Sequence, residues 1–316
     1  MRLLFAGTGE IAVPALRLLA PRYPVAGVLT APDRPSGRGR SLEPSAVKIA
    51  AMEIGLPLFQ PERLGSEARA AIEPAGAELL VCVAYGKIFG PRFLALFRAG
   101  GINMHPSLLP RYRGPAPIPA AILAGDAATG VTVQALAREM DSGDIYLQRR
   151  IELSGNETTA SLSQTAATLG AEAVLEVVEA IEAGRAALRP QRHELATYTH
   201  TIAKEEGRIE WSADAPVIER MVRAYYPWPL AFTTFSGLRL NILEARVSDD
   251  HSVIERASAS AQPGIVTAVD KSAGILVQTG NGMLSVQKLQ LQNRKPLDWK
   301  SFVNGVRNLP GALFGG

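Results

Sequence analysis

Apolar residues follow two different rhythms along this chain. In the first half, short unbroken apolar runs at 3–6, 25–30, 79–84 and 101–105 alternate with helix-like stretches at 13–19, 44–54 and 66–72. An unbroken run is the mark of a strand buried on both faces, and such strands separated by helices predict a parallel sheet covered on each side. Two further strands are expected at 130–136 and 144–151, joined by a short loop. From 159 to 183, Leu162, Ala166, Leu169, Val174, Val178 and Ile181 recur at helical spacing, which predicts one long helix stopped at Gly184.

The second half reads differently. Residues 185–206 are polar and poor in periodicity, as connecting chain is. A helix over 216–226 is opened by Pro216 in its first turn and closed before Pro227. Five short strand-like runs follow, at 231–235, 238–246, 264–269, 274–278 and 283–291, with a closing helix at 299–306. Such closely spaced short strands predict a small OB-like β-barrel. The expected fold is therefore α/β: a Rossmann-like parallel-sheet domain over 1–190, a linker over 191–208, and a β-barrel domain over 209–316.

Composition narrows the class. The 316 residues are 47% hydrophobic and 20% charged, an ordinary globular balance. No apolar run approaches the roughly 18 residues that span a bilayer. The N-terminus reads as a first strand and not as a signal peptide, so a cytoplasmic protein without membrane contact is expected. Cys82 is the only cysteine, which excludes an intrachain disulfide and a cysteine-based zinc site; it reads as a small buried apolar residue. No metal is expected, and the lack of heptads or an apolar edge points to a monomer. The formal net charge of +3 is spread evenly, with 21 Lys+Arg against 19 Asp+Glu in 1–204 and 12 against 11 in 205–316. Any contact with nucleic acid must therefore rest on local patches.

Two glycine-rich segments invite functional readings. Gly7-Thr8-Gly9 and Ala12 follow the first strand, and Asp33 lies 24 residues beyond Gly9, a weak likeness to a dinucleotide fingerprint. The run Pro32-Asp33-Arg34-Pro35-Ser36-Gly37-Arg38-Gly39-Arg40 continues as a basic loop instead of a helix start. Arg34, Arg38, Arg40 and Lys48 either form a solvated surface or meet phosphates.

The strongest chemical signal is Asn103-Met104-His105-Pro106-Ser107-Leu108-Leu109-Pro110. Asn103 and His105 are two apart at the end of a buried strand, so their side chains share a face at the carboxyl edge of the sheet, where α/β folds bind ligands. Asp141, in Met140-Asp141-Ser142-Gly143-Asp144 between the two later strands, can return a carboxylate to that edge. An amide donor, an imidazole and a carboxylate suit attack of an amine on a carbonyl: Asn103 donates to a developing oxyanion, His105 moves a proton, and Asp141 orients His105 and favours its protonated form. A structural histidine and an ordinary Asp-Ser-Gly-Asp turn are the alternative.

These motifs resemble those of methionyl-tRNA formyltransferases, within the 10-formyltetrahydrofolate-dependent formyltransferases, and the resemblance runs nearly end to end. Asn103-x-His105-x-Ser107-Leu108-Leu109-Pro110 with the Asp141 loop is similar to the superfamily signature. It implies Asn103, His105 and Asp141 as the catalytic set. It implies Ser107, Leu108, Leu109 and Pro110, with Val83, Ala84, Tyr85 and Gly86, as the folate-binding residues of the first domain. The basic loop with Pro44-Ser45-x-Val47-Lys48, the segment from Thr197-Tyr198 to Trp211, and Arg223-Ala224-Tyr225-Tyr226-Pro227-Trp228-Pro229 are similar to features of the tRNA enzymes. They imply that Arg34, Arg38, Arg40 and Lys48 touch tRNA and that the barrel binds tRNA. Pro115 departs from the Ala or Gly usual there. The implied reaction carries the formyl group of 10-formyltetrahydrofolate, a co-substrate, to the α-amine of methionyl-initiator-tRNA for translation initiation. An amino-sugar formyltransferase, a formylfolate hydrolase and a non-catalytic RNA-binding protein are the competing expectations.

Overall fold

The computed structural model describes residues 1–36, 41–248, 262–306 and 308–315. The chain forms two compact units: Met1–Pro117 with Ala128–Glu152 and Leu162–His200, and Ile118–Ala127 with Leu153–Ser161 and Thr201–Gly316.

The first unit is built on strands β1 (Leu3–Gly7), β2 (Val25–Leu29), the small hairpin pair β3 (Arg34–Ser36) and β4 (Ser41–Glu43), β5 (Leu58–Phe59), β6 (Leu79–Val83), β7 (Gly101–His105), β8 (Ala128–Ala135) and β9 (Ile145–Glu152). Seven of them form one sheet in the order β5-β2-β1-β6-β7-β8-β9. The first five run parallel, as the unbroken apolar runs predict, and every residue of β1 and β6 is buried. Of the last two, β8 runs antiparallel to β7 and β9 antiparallel to β8. The short β8–β9 connection explains the second of these pairings, since a parallel return needs a crossover of about a dozen residues or more. β5 and the β3–β4 hairpin escaped the sequence pattern because strands of two or three residues show no period.

Helices cover the sheet for local reasons. Ala46–Ile54 starts at Ser45, whose hydroxyl accepts from the Lys48 amide at 3.0 Å, and ends at Gly55 in the left-handed region. The long helix Thr159–Glu182 buries the expected face, including Leu162, Ala166, Val174 and Val178. It passes so close to β7 that a Cβ on Gly170 would lie 2.9 Å from the Met104 Cε. A short helix over Pro117–Ala124 was not signalled, since its prolines at 117 and 119 read as breakers although the first turn of a helix tolerates them.

The sheet order reverses between β1 and β6, the position where open α/β sheets bind ligands. Gly7 ends β1 there, and a Cβ on it would come within 2.9 Å of both Ala12 Cβ and the Val83 carbonyl oxygen. A Cβ on Gly9 would meet nothing within 4 Å. Packing alone therefore accounts for Gly7. Asp33 is likewise engaged: it pairs with Lys48 at 2.6 Å and accepts from Gln60 at 2.9 Å.

Residues 189–199, expected as part of the connecting chain, pair with the first unit. Arg189 and Ile145 exchange backbone hydrogen bonds at 2.8 and 2.9 Å. The Arg113 amide donates to Thr197 O at 2.8 Å, and the Thr199 amide to Arg113 O at 2.7 Å. These pairings are made by isolated bridges between irregular segments, which no periodicity announces.

The second unit holds an antiparallel sheet of β10 (Ala231–Phe235), β11 (Leu238–Val247), β12 (Val266–Asp270), β13 (Gly274–Gln278), β14 (Met283–Leu291) and β15 (Leu297–Asp298). Its order is β10-β11-β14-β13-β12, with β15 on β14. The tail joins the two edges: Phe314 donates to Gly264 O and Gly311 to Val266 O at 2.8 Å, while Gly315 donates to Thr234 O at 2.9 Å. Inside lie Trp211, Leu240, Ile242, Val266, Ile275, Val277, Leu284, Val286, Leu289 and Phe314, joined by Ile218 and Val222 from the helix Ala215–Ala224. Trp211 keeps its indole N–H satisfied by the Thr233 hydroxyl at 3.0 Å.

Candidate active site

The side chains of Asn103, His105 and Asp141 converge at the carboxyl edge of the first sheet. Asn103 and His105 project from β7 on one face. The Asn103 amide nitrogen lies 3.4 Å from Asp141 Oδ1, and His105 Nδ1 lies 3.5 Å from Asp141 Oδ2. Two more donors seize the carboxylate: Gln134 Nε2 to Oδ1 at 3.0 Å and the Gly114 amide to Oδ2 at 2.9 Å. Gln134 stands directly opposite Asn103 in the β7–β8 register, so both face the same side of the sheet.

Loop geometry fixes this set. Asp141 has φ 53°, Tyr112 φ 57° and Ala84 φ 48°, three non-glycine residues in the left-handed region around one edge. Such strain persists only where the surroundings over-determine it, and it clusters at functional sites. Gly143 is required for the same loop, because a Cβ there would run into the Ala135 carbonyl oxygen. On the other side, Thr132 anchors the loop after β7. Its hydroxyl donates to Ser107 O at 2.7 Å and accepts from the Leu109 amide at 3.2 Å and Gln148 Nε2 at 3.0 Å.

His105 is 5% exposed, and its Nε2–H donates to the Tyr112 carbonyl at 2.8 Å. Burial lowers its pKa from the ordinary value; the Asp141 charge and the Tyr112 carbonyl pull the other way and do not overcome it. The carboxylate favours the protonated form, as expected, but enclosure outweighs it and the ring rests neutral. With Nε2 carrying its proton toward Tyr112, the open proton position of the pair lies between Nδ1 and the carboxylate.

The remaining sequence-predicted residues fall into separate groups. Ser107 and Leu109 are buried, and the Ser107 hydroxyl closes the turn onto Arg111 O at 2.6 Å; Leu108 and Pro110 are half-buried. Val83 and Tyr85 are buried, whereas Ala84 and Gly86 are exposed. Tyr85 stacks on Phe89 with centroids 5.4 Å apart, its hydroxyl has no hydrogen-bond partner among the described residues, and burial pushes that hydroxyl up to about 12. Burial likewise pushes the Cys82 thiol up to about 12, which fits the inert apolar role read from the sequence. Arg34 is exposed on β3, while Lys48 is committed to Asp33; Arg38 and Arg40 lie outside the described residues. Sequence reading missed Gln134, Gln191 and the role of Arg113. Gln134 was recoverable from the strand register, and Arg113 stands three residues beyond the Asn103–Pro110 motif. Gln191 carried no local signal.

Fold and site together define a formyltransferase. The family described as "Formyl transferase" matches residues 3–178, and "Formyl transferase, C-terminal domain" matches residues 201–307. The chain belongs to the methionyl-tRNA formyltransferase family. It is 44% identical to the methionyl-tRNA formyltransferase of Treponema denticola, over 100% of this chain and 99% of that protein. It is 46% identical to that of Treponema pallidum (96% of each chain) and 42% identical to that of Chloroflexus aggregans (97% of each). Among solved structures it shares the fold of HypX from Aquifex aeolicus in complex with tetrahydrofolic acid, with a TM-score of 0.66 and 18% identity over 98% of this chain and 48% of that one. It also shares the fold of WlaRD, a sugar 3N-formyl transferase, with a TM-score of 0.64 and 16% identity over 93% and 99%.

Proposed function

We infer that this chain moves the formyl group of 10-formyltetrahydrofolate to the α-amine of methionyl-initiator-tRNA. One observation carries the chemistry: Asn103, His105 and the carboxylate of Asp141 meet within 3.4–3.5 Å at the carboxyl end of β7, which pairs with β6 beside the point where the strand order reverses. Full-length likeness to the methionyl-tRNA enzymes supports the acceptor.

The folate supplies an activated one-carbon unit. The exposed backbone at Ala84 and Gly86 and the half-buried Leu108 and Pro110 offer the polar edge and apolar wall that a flat heterocycle needs. Val83, Tyr85, Ser107 and Leu109 would shape that wall from within. Asn103 directs one N–H at Asp141 and has a second for the negative charge that develops on the formyl oxygen. Neutral His105 takes the proton that the attacking amine must lose, at Nδ1, where Asp141 stabilises the resulting cation, and returns it to the folate nitrogen as the bond from that nitrogen to the formyl carbon breaks. Asp141 is thus a charge partner and not a nucleophile.

On this reading the acceptor stem meets the basic hairpin. Arg34, Arg38 and Arg40 supply attraction to phosphate, and Lys48, through Asp33, braces the hairpin's base. The catalytic domain, expected over 1–190, takes in the start of the 191–208 linker, whose residues 191–199 pair with it, and the 209–316 domain binds tRNA. The enzyme works in the cytoplasm as a monomer. Among the described residues no helix is long and apolar enough to cross a membrane. The test is formation of formylmethionyl-tRNA from the formylated folate and charged initiator tRNA; release of free formate without acylated product would replace transfer by hydrolysis.

A further inference from the structure

Arg113 is 2% exposed, yet among the described residues no carboxylate pairs with it. Its guanidinium donates to Gln191 Oε1 from Nε at 3.2 Å and from Nη2 at 2.7 Å, to His193 Nδ1 at 2.9 Å, and to the Tyr198 hydroxyl at 3.1 Å. A guanidinium can only donate, so it fixes the orientation of the Gln191 amide: oxygen toward Arg113, nitrogen away. The Gln191 nitrogen then donates to Gly143 O at 2.7 Å, to Asp141 O at 3.0 Å and to Gln134 Oε1 at 3.2 Å. That last contact turns the Gln134 amide as well, and its nitrogen donates to the Asp141 carboxylate at 3.0 Å. Gln191 and Gln134 are 4% and 2% exposed, so water cannot substitute for these bonds.

We propose that Gln191 is a positioning residue for formyl transfer: held in one orientation by Arg113, it clamps the Asp141 loop and sets Gln134 to donate to the Asp141 carboxylate. The inference rests on the role given above to Asp141. The chain of bonds runs from a buried cation through two aligned amides to a carboxylate, and each amide presents its donor end toward Asp141. The clamp on the Asp141 and Gly143 carbonyls holds a loop that is otherwise strained at Asp141. Gln191 sits 50 residues beyond Asp141 in a segment with no periodicity, so only the folded chain brings them together.

The test is steady-state formylation by the full chain carrying Gln191→Glu, read against wild type and Asp141→Asn. Glutamate keeps the acceptor for Arg113 and removes both N–H donors. Turnover should fall at least ~10-fold, with KM for either substrate changed less than ~3-fold and the melting temperature held within a few degrees, because a misplaced catalytic group costs rate more than binding. A residue that only filled space would lose stability and turnover together, or neither. Turnover within ~2-fold of wild type, or a loss matched by a fall in melting temperature, overturns the proposal. Gln134→Leu should give the same split and keeps the test open if the first variant does not fold. Since the two amides act in series, combining the substitutions should cost little more than the larger single loss; additive losses also overturn it. Wild-type transfer to methionyl-tRNA is scored separately, so failure of the functional reading is distinguishable from failure of this one.

Discussion

The sheet edge around Asp141 and the segment around the β3–β4 hairpin are both rich in polar and charged side chains, and they use them in opposite ways. At the edge, Asn103, His105, Gln134 and Gln191 bond to Asp141 or its loop inside the protein. Enclosure strengthens each of those interactions and decides protonation, as the depressed pKa of His105 shows. Around the hairpin, Arg34 stands in solvent and the pair of Lys48 with Asp33 serves as a brace. Exposed charge attracts at long range, is screened by salt, and fixes nothing to a fraction of an ångström. A reaction centre needs the first arrangement, and an encounter surface for a polyanion needs the second.

Breaking the enclosed region should have the largest effect. Asn103→Ala, His105→Ala and Asp141→Asn should each lower kcat roughly a hundred- to thousand-fold, the usual cost of removing one transition-state partner, as read by formylation kinetics. Wild-type turnover in any of them removes that residue from the mechanism. Next comes Gly143→Ala, whose methyl cannot coexist with the Ala135 carbonyl. The Asp141 loop must shift, and a shift of about 1 Å can cost on the order of a hundredfold in kcat; unchanged kinetics would show that loop placement is not limiting.

Perturbing the hairpin should do less and show up elsewhere. Arg34→Ala should raise KM for methionyl-tRNA a few-fold, leave the folate KM alone, and reduce the salt slope by about 1. An effect confined to folate would reverse the division of labour. The smallest effect is a shift along the pH axis. Because burial lowers the His105 pKa, the neutral ring persists below the ordinary histidine value of about 6.5, and kcat should fall only as pH drops beneath it. The unfolded chain protonates this histidine first, so stability is also lost as pH falls from that value. A kcat limb at or above it, absent in His105→Ala, would contradict the neutral resting state.

Much of this contrast is legible in the sequence. The unbroken runs gave β1, β2, β6 and β7 because doubly buried strands have little choice of composition, and the two-residue spacing of Asn103 and His105 gave their shared face. The antiparallel β8 and β9 were foreseeable as strands but not in direction, which depends on the connection. Gln191 could not be read at all: its partners Asp141 and Gly143 lie about 50 residues away, and a single long-range amide leaves no pattern in sequence. Nor does spacing reveal whether burial or a carboxylate wins at a histidine. At His105 burial outweighs the carboxylate, because the enclosure comes from the Tyr112 loop and β8 as well as from its own strand.

The most direct measurement offers the enzyme, in one vessel with formylated tetrahydrofolate, three acceptors: methionyl-initiator-tRNA, the same tRNA uncharged, and an amino-sugar nucleotide. The account predicts formyl label on methionyl-tRNA alone, lost in Asp141→Asn. Label on the sugar, or free formate with no acylated product, would contradict it while leaving the sheet-edge chemistry to be reassigned.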